Sequence, residues 1–323
     1  MRVLITGITG MVGSHLADYI LAEKPGVDVH GLVRWRSPLD NIRAIRDKVT
    51  LHLGDLRDLN SLVMVLKAAK PDRIFHLAAQ SYVTVSFDAA ADTLSSNVVG
   101  TANLLDAVRL AGLDPMIHIC SSSEVYGQVR EDELPIKESN PFRPASPYAV
   151  SKVGEDMLAL QYWLSWGIKT VRTRMFTHTG PRRGDVFAES TFAKQIAEIE
   201  AGLHPGPVKV GNLDSVRTLA DVRDAVRAYW LLLEKCPPGE VYNIGGERTV
   251  TVGEILEILK GMAKVKIAHE VDPARLRPSD VTLQIPDVSK FREATSWRPA
   301  ISAEKTLGDL LDYHRERIRR ERS

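Results

Sequence analysis

The sequence is poor in cysteine and has no long apolar run. Its 323 residues include two cysteines, Cys120 and Cys236, too few for a disulfide framework or a cysteine-rich zinc site. No apolar run approaches the roughly 20 residues that cross a bilayer, and the first residues, MRVLITGITG, lack the features of a signal peptide. We therefore expect a protein of the reducing cytoplasm that does not bind membranes.

A strong net charge is also missing. The chain has 42 Lys and Arg residues against 41 Asp and Glu residues, a formal charge of +1, which argues against a nucleic-acid partner. His178 has no partner histidine or cysteine at ligand spacing, so we expect no metal site. The hydrophobic fraction of 44% and the charged fraction of 26% are those of a globular protein and exclude a disordered chain.

Short runs rich in Val and Ile alternate with helical segments through the first 175 residues. The predicted strands are 2–6, 27–33, 49–53, 73–78, 116–120 and 168–174. The helical segments include 12–23, 59–69, 93–111 and 147–166. This alternation predicts an α/β fold, a doubly wound parallel sheet with helices on both faces.

The rhythm of the sequence changes after residue 175, where loops rich in Gly and Pro separate further helices. We expect 1–175 to form a dinucleotide-binding domain of the Rossmann type, to which 213–243 returns. The remaining segments, 176–212 and 244–323, are expected to form a smaller C-terminal lobe that packs on the sheet and binds the substrate.

A glycine-rich turn, TGITGMVGSHL (6–16), follows the first strand and opens the first helix. Glycines in such a turn let the backbone approach a pyrophosphate, and the N–H groups at the helix start bind its oxygens. The predicted contacts of this turn are Gly7, Gly10, Met11, Val12 and Gly13. Residues after the third and fourth strands complete the predicted dinucleotide site: Asp55, Leu56, Ala78 and Ala79.

The end of the second strand carries arginines where an NAD site would carry an acid. The chain reads GLVRWRS there, with Arg34 and Arg36. Because a guanidinium suits the 2′-phosphate of NADP, the sequence favours NADP over NAD as the cofactor. The alternative is that both arginines are solvated surface residues.

Three polar side chains follow the fifth strand or open the next helix. Tyr148 and Lys152 are four residues apart and so share one face of that helix. A nearby ammonium should lower the pKa of the Tyr148 phenol, which makes it a candidate general acid or base at an alcohol or ketone. Ser122 is expected to hold the substrate hydroxyl, and Lys152 the nicotinamide ribose.

The segments TGITGMVG, HLAAQS, SSSEVYG and YAVSK resemble the extended short-chain dehydrogenase/reductase family of nucleotide-sugar enzymes over essentially the whole chain. Within it, AQSYVTVSF (79–87), PRRG (181–184) and VGNLDSVR (210–217) resemble the GDP-mannose 4,6-dehydratases and the GDP-4-keto-6-deoxy-mannose reductases. The resemblance implies a Rossmann domain, a GDP-sugar substrate and a homodimer or homotetramer.

The resemblance also implies residue roles. Ser122, Tyr148 and Lys152 match the family's catalytic Ser/Thr, Tyr and Lys, and Glu124 matches the carboxylate that dehydratases use to remove the C5 proton of the sugar. The predicted reaction is conversion of GDP-mannose to GDP-4-keto-6-deoxy-mannose by transient oxidation at C4, elimination across C5–C6 and hydride return. The alternatives are an NADPH-dependent reductase of that product, an epimerase or decarboxylase of the same fold, and a non-catalytic NADP-binding protein.

For the substrate, the resemblance implies contacts from five residues, namely Ser81, Asn212, Arg217, Arg277 and Asp280. Two arginines are able to clamp a pyrophosphate. Arg182 and Arg183 lie in the loop between the lobes, where a phosphate, a neighbouring subunit's cofactor and solvent are equally open possibilities.

Overall fold

The computed structural model describes residues 1–276 and 281–322, and it confirms the alternation of strands and helices. The strands are β1 (Arg2–Thr6), β2 (Asp28–Val33), β3 (Thr50–Leu53), β4 (Arg73–His76), β5 (Met116–Ser122), β6 (Thr170–Met175), β7 (His178–Thr179), β8 (Val208–Val210), β9 (Val216–Thr218), β10 (Ala220–Asp221), β11 (Val241–Ile244), β12 (Thr249–Thr251), β13 (His269–Val271) and β14 (Leu283–Gln284). The helices are α1 (Met11–Glu23), α2 (Leu59–Ala69), α3 (Val83–Asp88), α4 (Ala90–Leu94), α5 (Gly100–Leu110), α6 (Pro147–Trp166), α7 (Ala188–Glu200), α8 (Val222–Lys235), α9 (Val252–Gly261), α10 (Ser289–Thr295) and α11 (Ala303–Arg322).

Seven of these strands form one parallel sheet in the order β11-β6-β5-β4-β1-β2-β3. The order runs outward in both directions from the pair β1 and β4, as in a doubly wound fold. Both faces of the sheet are covered by helices, so its inner strands β1, β4, β5 and β6 are buried over most of their length. Strand β11 comes from the second half of the chain and pairs with β6, so the chain does return to the sheet.

Helix α6 has the boundaries that its sequence predicts. The Ser146 hydroxyl accepts a hydrogen bond from the N–H of Ala149 at 3.1 Å, and Pro147 occupies the first helical position. Gly167 then ends the helix in the left-handed conformation, with φ of 66°. These local signals fix where Tyr148 and Lys152 stand relative to the end of β5.

The segment predicted as one helix over 93–111 is divided. Helices α4 and α5 are separated by a π-helical turn at Ser95–Val99, which contains the buried Asn97. The Asn97 amide donates to the Gln80 carbonyl and to the Ser151 hydroxyl, both at 2.9 Å, and its oxygen accepts from the Gln80 N–H at 2.8 Å. These side-chain bonds tie the turn to the loop after β4 and to α6, and a wider turn of this kind often marks a functional site.

The second half of the chain has a core of its own. Helices α7, α9 and α11 bury Phe192, Leu256, Leu307 and Leu311 against one another and against β8. Within 270–286, where the sequence shows little periodicity, the described residues include parts of two short strands, β13 and β14. They pair with β8 and β9, so their conformation depends on contacts distant in sequence.

Candidate active site

A cleft of about 910 Å³ opens at the carboxyl ends of β1, β2, β4 and β5 and is closed on the other side by the second half of the chain. Seventeen of the predicted site residues line it: Gly7, Gly10, Met11, Val12, Gly13, Arg34, Asp55, Leu56, Ala78, Ala79, Ser81, Ser122, Glu124, Tyr148, Lys152, Asn212 and Arg217. The other two, Arg277 and Asp280, lie outside the described residues. This edge of a doubly wound sheet is where such folds bind their ligands.

The glycine turn leaves no room for side chains. Gly7 has a φ of 74°, and a Cβ added at Gly13 would lie 2.2 Å from the Gly7 carbonyl oxygen. A Cβ at Gly7 would come within 2.9 Å of the Ala78 backbone. This packing sets the start of α1 close against the ends of β1 and β4, and the turn lines the cleft, which fits the pyrophosphate of a dinucleotide.

Beneath this turn, a buried chain of hydrogen bonds links strands β1 and β4 to helix α5. The Thr6 hydroxyl lies 2.9 Å from Nδ1 of His76, whose Nε2 lies 3.0 Å from the Thr101 hydroxyl. Thr6 also accepts the N–H groups of Leu77 and Ala78 at 3.1 Å. Burial lowers the pKa of His76 to about 3, so the ring is neutral and serves to fix the start of the loop after β4.

The two arginines after β2 differ in position. Both are exposed, but Arg34 lines the cleft and Arg36 does not. Asp55, on the next loop, receives the Arg57 backbone N–H at 2.9 Å and the Arg57 guanidinium at 3.1 Å. The hydrogen bond from the Arg57 side chain holds the pKa of Asp55 below its usual value. A cationic side chain thus lies at each of two loops on this end of the cleft.

The structure brings Ser122, Tyr148 and Lys152 together at the end of β5. The Ser122 hydroxyl is within hydrogen-bonding reach of the Tyr148 phenol, and the Lys152 ammonium lies 5.8 Å from the centre of the Tyr148 ring. Lys152 donates to the Cys120 carbonyl at 3.0 Å and to the Glu155 carboxylate at 2.9 Å. All three side chains line the cleft.

The prediction that Lys152 lowers the pKa of Tyr148 is wrong as a net effect. Burial, which opposes ionisation of the phenol, raises the pKa of Tyr148 and outweighs the lowering by the Lys152 ammonium. The carboxylate of Glu155 adds to the rise. The sequence motif indicated the favourable charge but held no information on burial or on this second, opposing charge.

Glu124 is the second residue of the 3₁₀ turn Ser123–Tyr126, which follows Ser122. Its N–H donates to the Ser122 hydroxyl at 3.2 Å, and its carboxylate accepts the Gln284 amide at 3.4 Å. Ser123 in turn donates to the Gln284 carbonyl oxygen at 2.7 Å, which sets the orientation of that amide. Gln284 of β14, 160 positions away in sequence, therefore faces the Glu124 carboxylate. No local feature of the sequence indicates this contact.

Two of the predicted substrate residues, Asn212 and Arg217, lie on the loop before β9 and on β9 itself, whereas Ser81 lies on the loop after β4. The Asn212 amide donates to the Ser215 hydroxyl at 3.1 Å and its oxygen accepts the Asp214 N–H at 2.9 Å, so Asn212 shapes the loop before β9. The Arg217 guanidinium donates to the Val216 carbonyl at 3.0 Å and lines the cleft. Arg275, which the sequence analysis missed, lines the same wall.

Of the two loop arginines, Arg183 is the one held inside. Its guanidinium lies 3.5 Å over the Phe187 ring and 3.2 Å from Glu189, and burial lowers its pKa. Arg182 forms an ion pair with Asp18 of α1 at 2.7 Å. Both line the cleft, so simple exposure to solvent does not describe Arg183. In the sequence, the position of Arg183 in a Gly- and Pro-rich loop is the only feature that indicates a place near the site.

In the part of the chain that the structure describes, neither a membrane-spanning helix nor a cluster of metal ligands is found. No helix among 1–276 and 281–322 combines the length and apolarity needed to cross a membrane. Within the same residues, His, Cys, Asp and Glu side chains do not gather in threes as metal ligands would. His178, on β7, instead bonds the Phe176 carbonyl through Nδ1 at 3.1 Å, and burial lowers its pKa to about 4.

Comparison with known proteins adds to this geometry. The family model described as GDP-mannose 4,6 dehydratase matches residues 4–310. The chain is 32% identical to the GDP-mannose 4,6-dehydratase of Yersinia enterocolitica, with 96% of this chain and 92% of that protein covered. It is 34% identical to the GDP-6-deoxy-D-mannose reductase of Pseudomonas aeruginosa, with 99% of each covered.

Solved structures with the same fold include both kinds of enzyme. RMD from Pseudomonas aeruginosa, complexed with NADPH, superposes with a TM-score of 0.86 at 32% identity, covering 98% of this chain and 99% of that one. DesIV, a dTDP-glucose 4,6-dehydratase from Streptomyces venezuelae with NAD and TYD bound, superposes with a TM-score of 0.86 at 29% identity, covering 98% and 97%.

Proposed function

This chain belongs to the GDP-mannose 4,6-dehydratase family, and from that membership and the residues of the cleft we propose that it is an NADP-dependent 4,6-dehydratase that converts GDP-mannose to GDP-4-keto-6-deoxy-mannose. The observation that carries the proposal is a carboxylate, Glu124, two residues after Ser122 in the same cleft as Tyr148 and Lys152. Oxidation or reduction alone needs only the last three. Elimination of water needs a further group that removes a carbon-bound proton, and Glu124 supplies it.

The cofactor site fits a dinucleotide. The close packing of the turn, where a Cβ at Gly7 or Gly13 would meet other backbone atoms, is the observation that supports the fit, because this turn also lines the cleft. Gly10 and the first residues of α1 would hold the pyrophosphate, Arg34 the 2′-phosphate and Lys152 the nicotinamide ribose. NADP held by these residues would supply a hydride acceptor at C4 and the hydride donor at C6, so the dehydration would leave the redox state of the cofactor unchanged.

The chain's own residues carry the proton steps. Tyr148 takes the proton of the C4 hydroxyl in its phenolate form, which the Lys152 ammonium favours against the effect of burial, while Ser122 donates a hydrogen bond to that oxygen. The ketone at C4 makes the C5–H bond acidic, and Glu124 removes this proton and gives it to the C6 hydroxyl, which leaves as water. When C6 is reduced, the proton that Tyr148 took from the C4 hydroxyl passes to C5, and both side chains are back in their starting states. The Gln284 amide keeps the carboxylate of Glu124 turned to the cleft.

The second candidate function is NADPH-dependent reduction of a GDP-4-keto-6-deoxy sugar. It is favoured by the identity of 34% to the reductase of Pseudomonas aeruginosa over 99% of both chains. Ser122, Tyr148 and Lys152 would serve it equally well, because reduction of a ketone needs one hydride and one proton. Glu124 would then have no chemical step to perform, which makes it the residue that separates the two functions.

The test is turnover of GDP-mannose with NADP below the enzyme concentration, followed by mass spectrometry. We expect a product lighter than the substrate by one water and no net change in NADPH absorbance. Glu124→Gln should retain NADP binding and lose at least about a hundredfold in rate. Stoichiometric NADPH consumption on a 4-keto-6-deoxy sugar, with full activity in Glu124→Gln, would select the reductase and overturn the dehydratase.

The proposal also assigns cofactor binding and substrate binding to different parts of the chain. The sheet with its returning strand would bind the cofactor, and segments 176–212 and 244–323 would bind the GDP-sugar. Arg182, Arg183 and Arg275 are cations of these segments that line the cleft, and Arg217, on β9 of the returning segment 213–243, lines it as well. A homodimer or homotetramer in the cytoplasm stays a prediction, and equilibrium sedimentation tests the oligomeric state.

A further inference from the structure

A second carboxylate, Glu155, lies directly behind Lys152 on α6. Its side chain is 1% exposed, and one oxygen, Oε2, is 2.9 Å from the Lys152 ammonium. The other oxygen, Oε1, is buried and has no hydrogen-bond partner among the described residues. A buried carboxylate with a single partner depends on that partner for its whole compensation, so Glu155 and Lys152 form one unit.

The pair restricts the direction of the ammonium. A lysine ammonium has three N–H donors, and two of those of Lys152 go to the Glu155 carboxylate and to the Cys120 carbonyl at 3.0 Å. Glu155 is buried and does not line the cleft, whereas Cys120 and Lys152 both line it. One donor remains for the cleft, where Tyr148 and the ribose of a bound dinucleotide would compete for it.

We propose that Glu155 is a positioning residue for Lys152, which aims the ammonium into the cleft and limits the positive charge that reaches the Tyr148 phenol. The inference rests on the proposed roles of Tyr148 and Lys152 in proton transfer. Its consequence has a definite sign. Lys152 favours the phenolate and Glu155 disfavours it, so removing the charge of Glu155 makes Tyr148 a stronger acid.

The groups around this pair leave Glu155 as the one that titrates near neutral pH. Burial raises the pKa of Glu155 to about 7 although Lys152 opposes the rise, and the carboxylate of Asp156 on the same helix adds to it. The pKa of Lys152 is above its ordinary value, because Glu155, Tyr148 and Cys120 together more than offset the lowering by burial. The titratable groups that face Lys152 from the sheet are uncharged at this pH: Cys120 on β5, and the imidazoles of His76 on β4 and His118 on β5, whose pKa values burial lowers to about 3.

The test is a titration of Tyr148 in the intact protein. Tyrosinate absorbance is followed against pH, and the Tyr148 contribution is isolated by subtracting the curve of Tyr148→Phe made in the same background. In Glu155→Gln, which keeps the size and an acceptor oxygen, we expect the affinity of Tyr148 for its proton to fall about tenfold, a midpoint lower by about one pH unit. The ascending limb of the pH–rate profile should move in the same direction.

The control is Asp156→Asn, a neighbouring buried carboxylate whose oxygens lie 2.9 Å from Arg172 and 2.8 Å from Arg174 instead of near Lys152. It should lower the melting temperature and leave the Tyr148 midpoint in place. An unchanged or higher midpoint in folded Glu155→Gln would overturn the proposal. If that variant does not fold, Glu155→Asp, which withdraws the carboxylate by one methylene, should lower the midpoint by a smaller amount, and no change there would also overturn it.

This titration needs neither a sugar nor turnover. A failure of the GDP-mannose assay therefore leaves the result standing, and a negative titration leaves the dehydratase proposal standing.

Discussion

The two sides of the cleft are built from different kinds of structure. On the sheet side, backbone groups pack so closely that a Cβ at Gly13 would lie 2.2 Å from a carbonyl oxygen. On the other side, Asn212 lies on a loop and Arg217 on β9, a strand of three residues that pairs with the two-residue strand β14. The proposed chemistry and cofactor binding thus depend on a closely packed backbone. The proposed contacts to the sugar nucleotide come from individual side chains, each of which can be removed without disturbing the others. Substitutions on the two sides should therefore fail in different ways.

The largest effect is expected on the sheet side at Tyr148. Tyr148→Phe removes the proposed acid–base group and keeps the ring, so kcat should fall about a thousandfold while NADP affinity stays the same. The measurement is steady-state turnover of GDP-mannose with calorimetric titration of NADP. Tyr126→Phe is the control, because Tyr126 bonds Asn243 at 2.7 Å and Arg174 at 3.0 Å outside the cleft. It should cost about 1–2 kcal/mol of stability and no activity.

The next effect tests the close packing of the glycine turn. Gly13→Ala places a methyl group against the Gly7 and Ile8 backbone, which has no flexible side chain to move aside. We expect a loss of about 3 kcal/mol in the free energy of unfolding and at least about a hundredfold in NADP affinity. Gly261→Ala, at the end of α9 with open space around it, is the matched control and should change neither. Equal behaviour of the two variants would refute the contrast between the sides.

Much of this frame could be predicted from sequence because its signals are local. Apolar runs predict the strands, and Ser146, Pro147 and Gly167 mark both ends of α6. The missed features depend on residues far apart in the chain. Gln284 meets Glu124 only after β14 joins β9, and the π turn at Ser95–Val99 depends on bonds from Asn97 to two other segments. The pKa of Tyr148 was predicted with the wrong sign because burial, a property of the assembled fold, exceeds the effect of one charge.

A smaller effect is expected at Arg34, where the proposed contact to the cofactor comes from a side chain and not from the backbone. Arg34→Ala should weaken NADP binding about twentyfold and leave NAD binding unchanged, because the lost interaction is with the 2′-phosphate. Fluorescence titration with both dinucleotides measures the ratio. Arg36→Ala is the matched control, an exposed arginine two residues on that does not line the cleft. An equal loss for NAD and NADP would mean that Arg34 supports the loop and does not select the cofactor.

The smallest effect is expected on the loop side, at Arg217. Arg217→Ala should raise the KM for GDP-mannose about tenfold and change kcat less than about twofold, since a pyrophosphate contact is the same in the ground and transition states. Arg248→Ala serves as the control in the same lobe, because Arg248 pairs with Glu304 and does not line the cleft. If Arg217→Ala instead lowered kcat as Tyr148→Phe does, the loop side would take part in the chemistry, and the division between a rigid catalytic side and a separable binding side would fail.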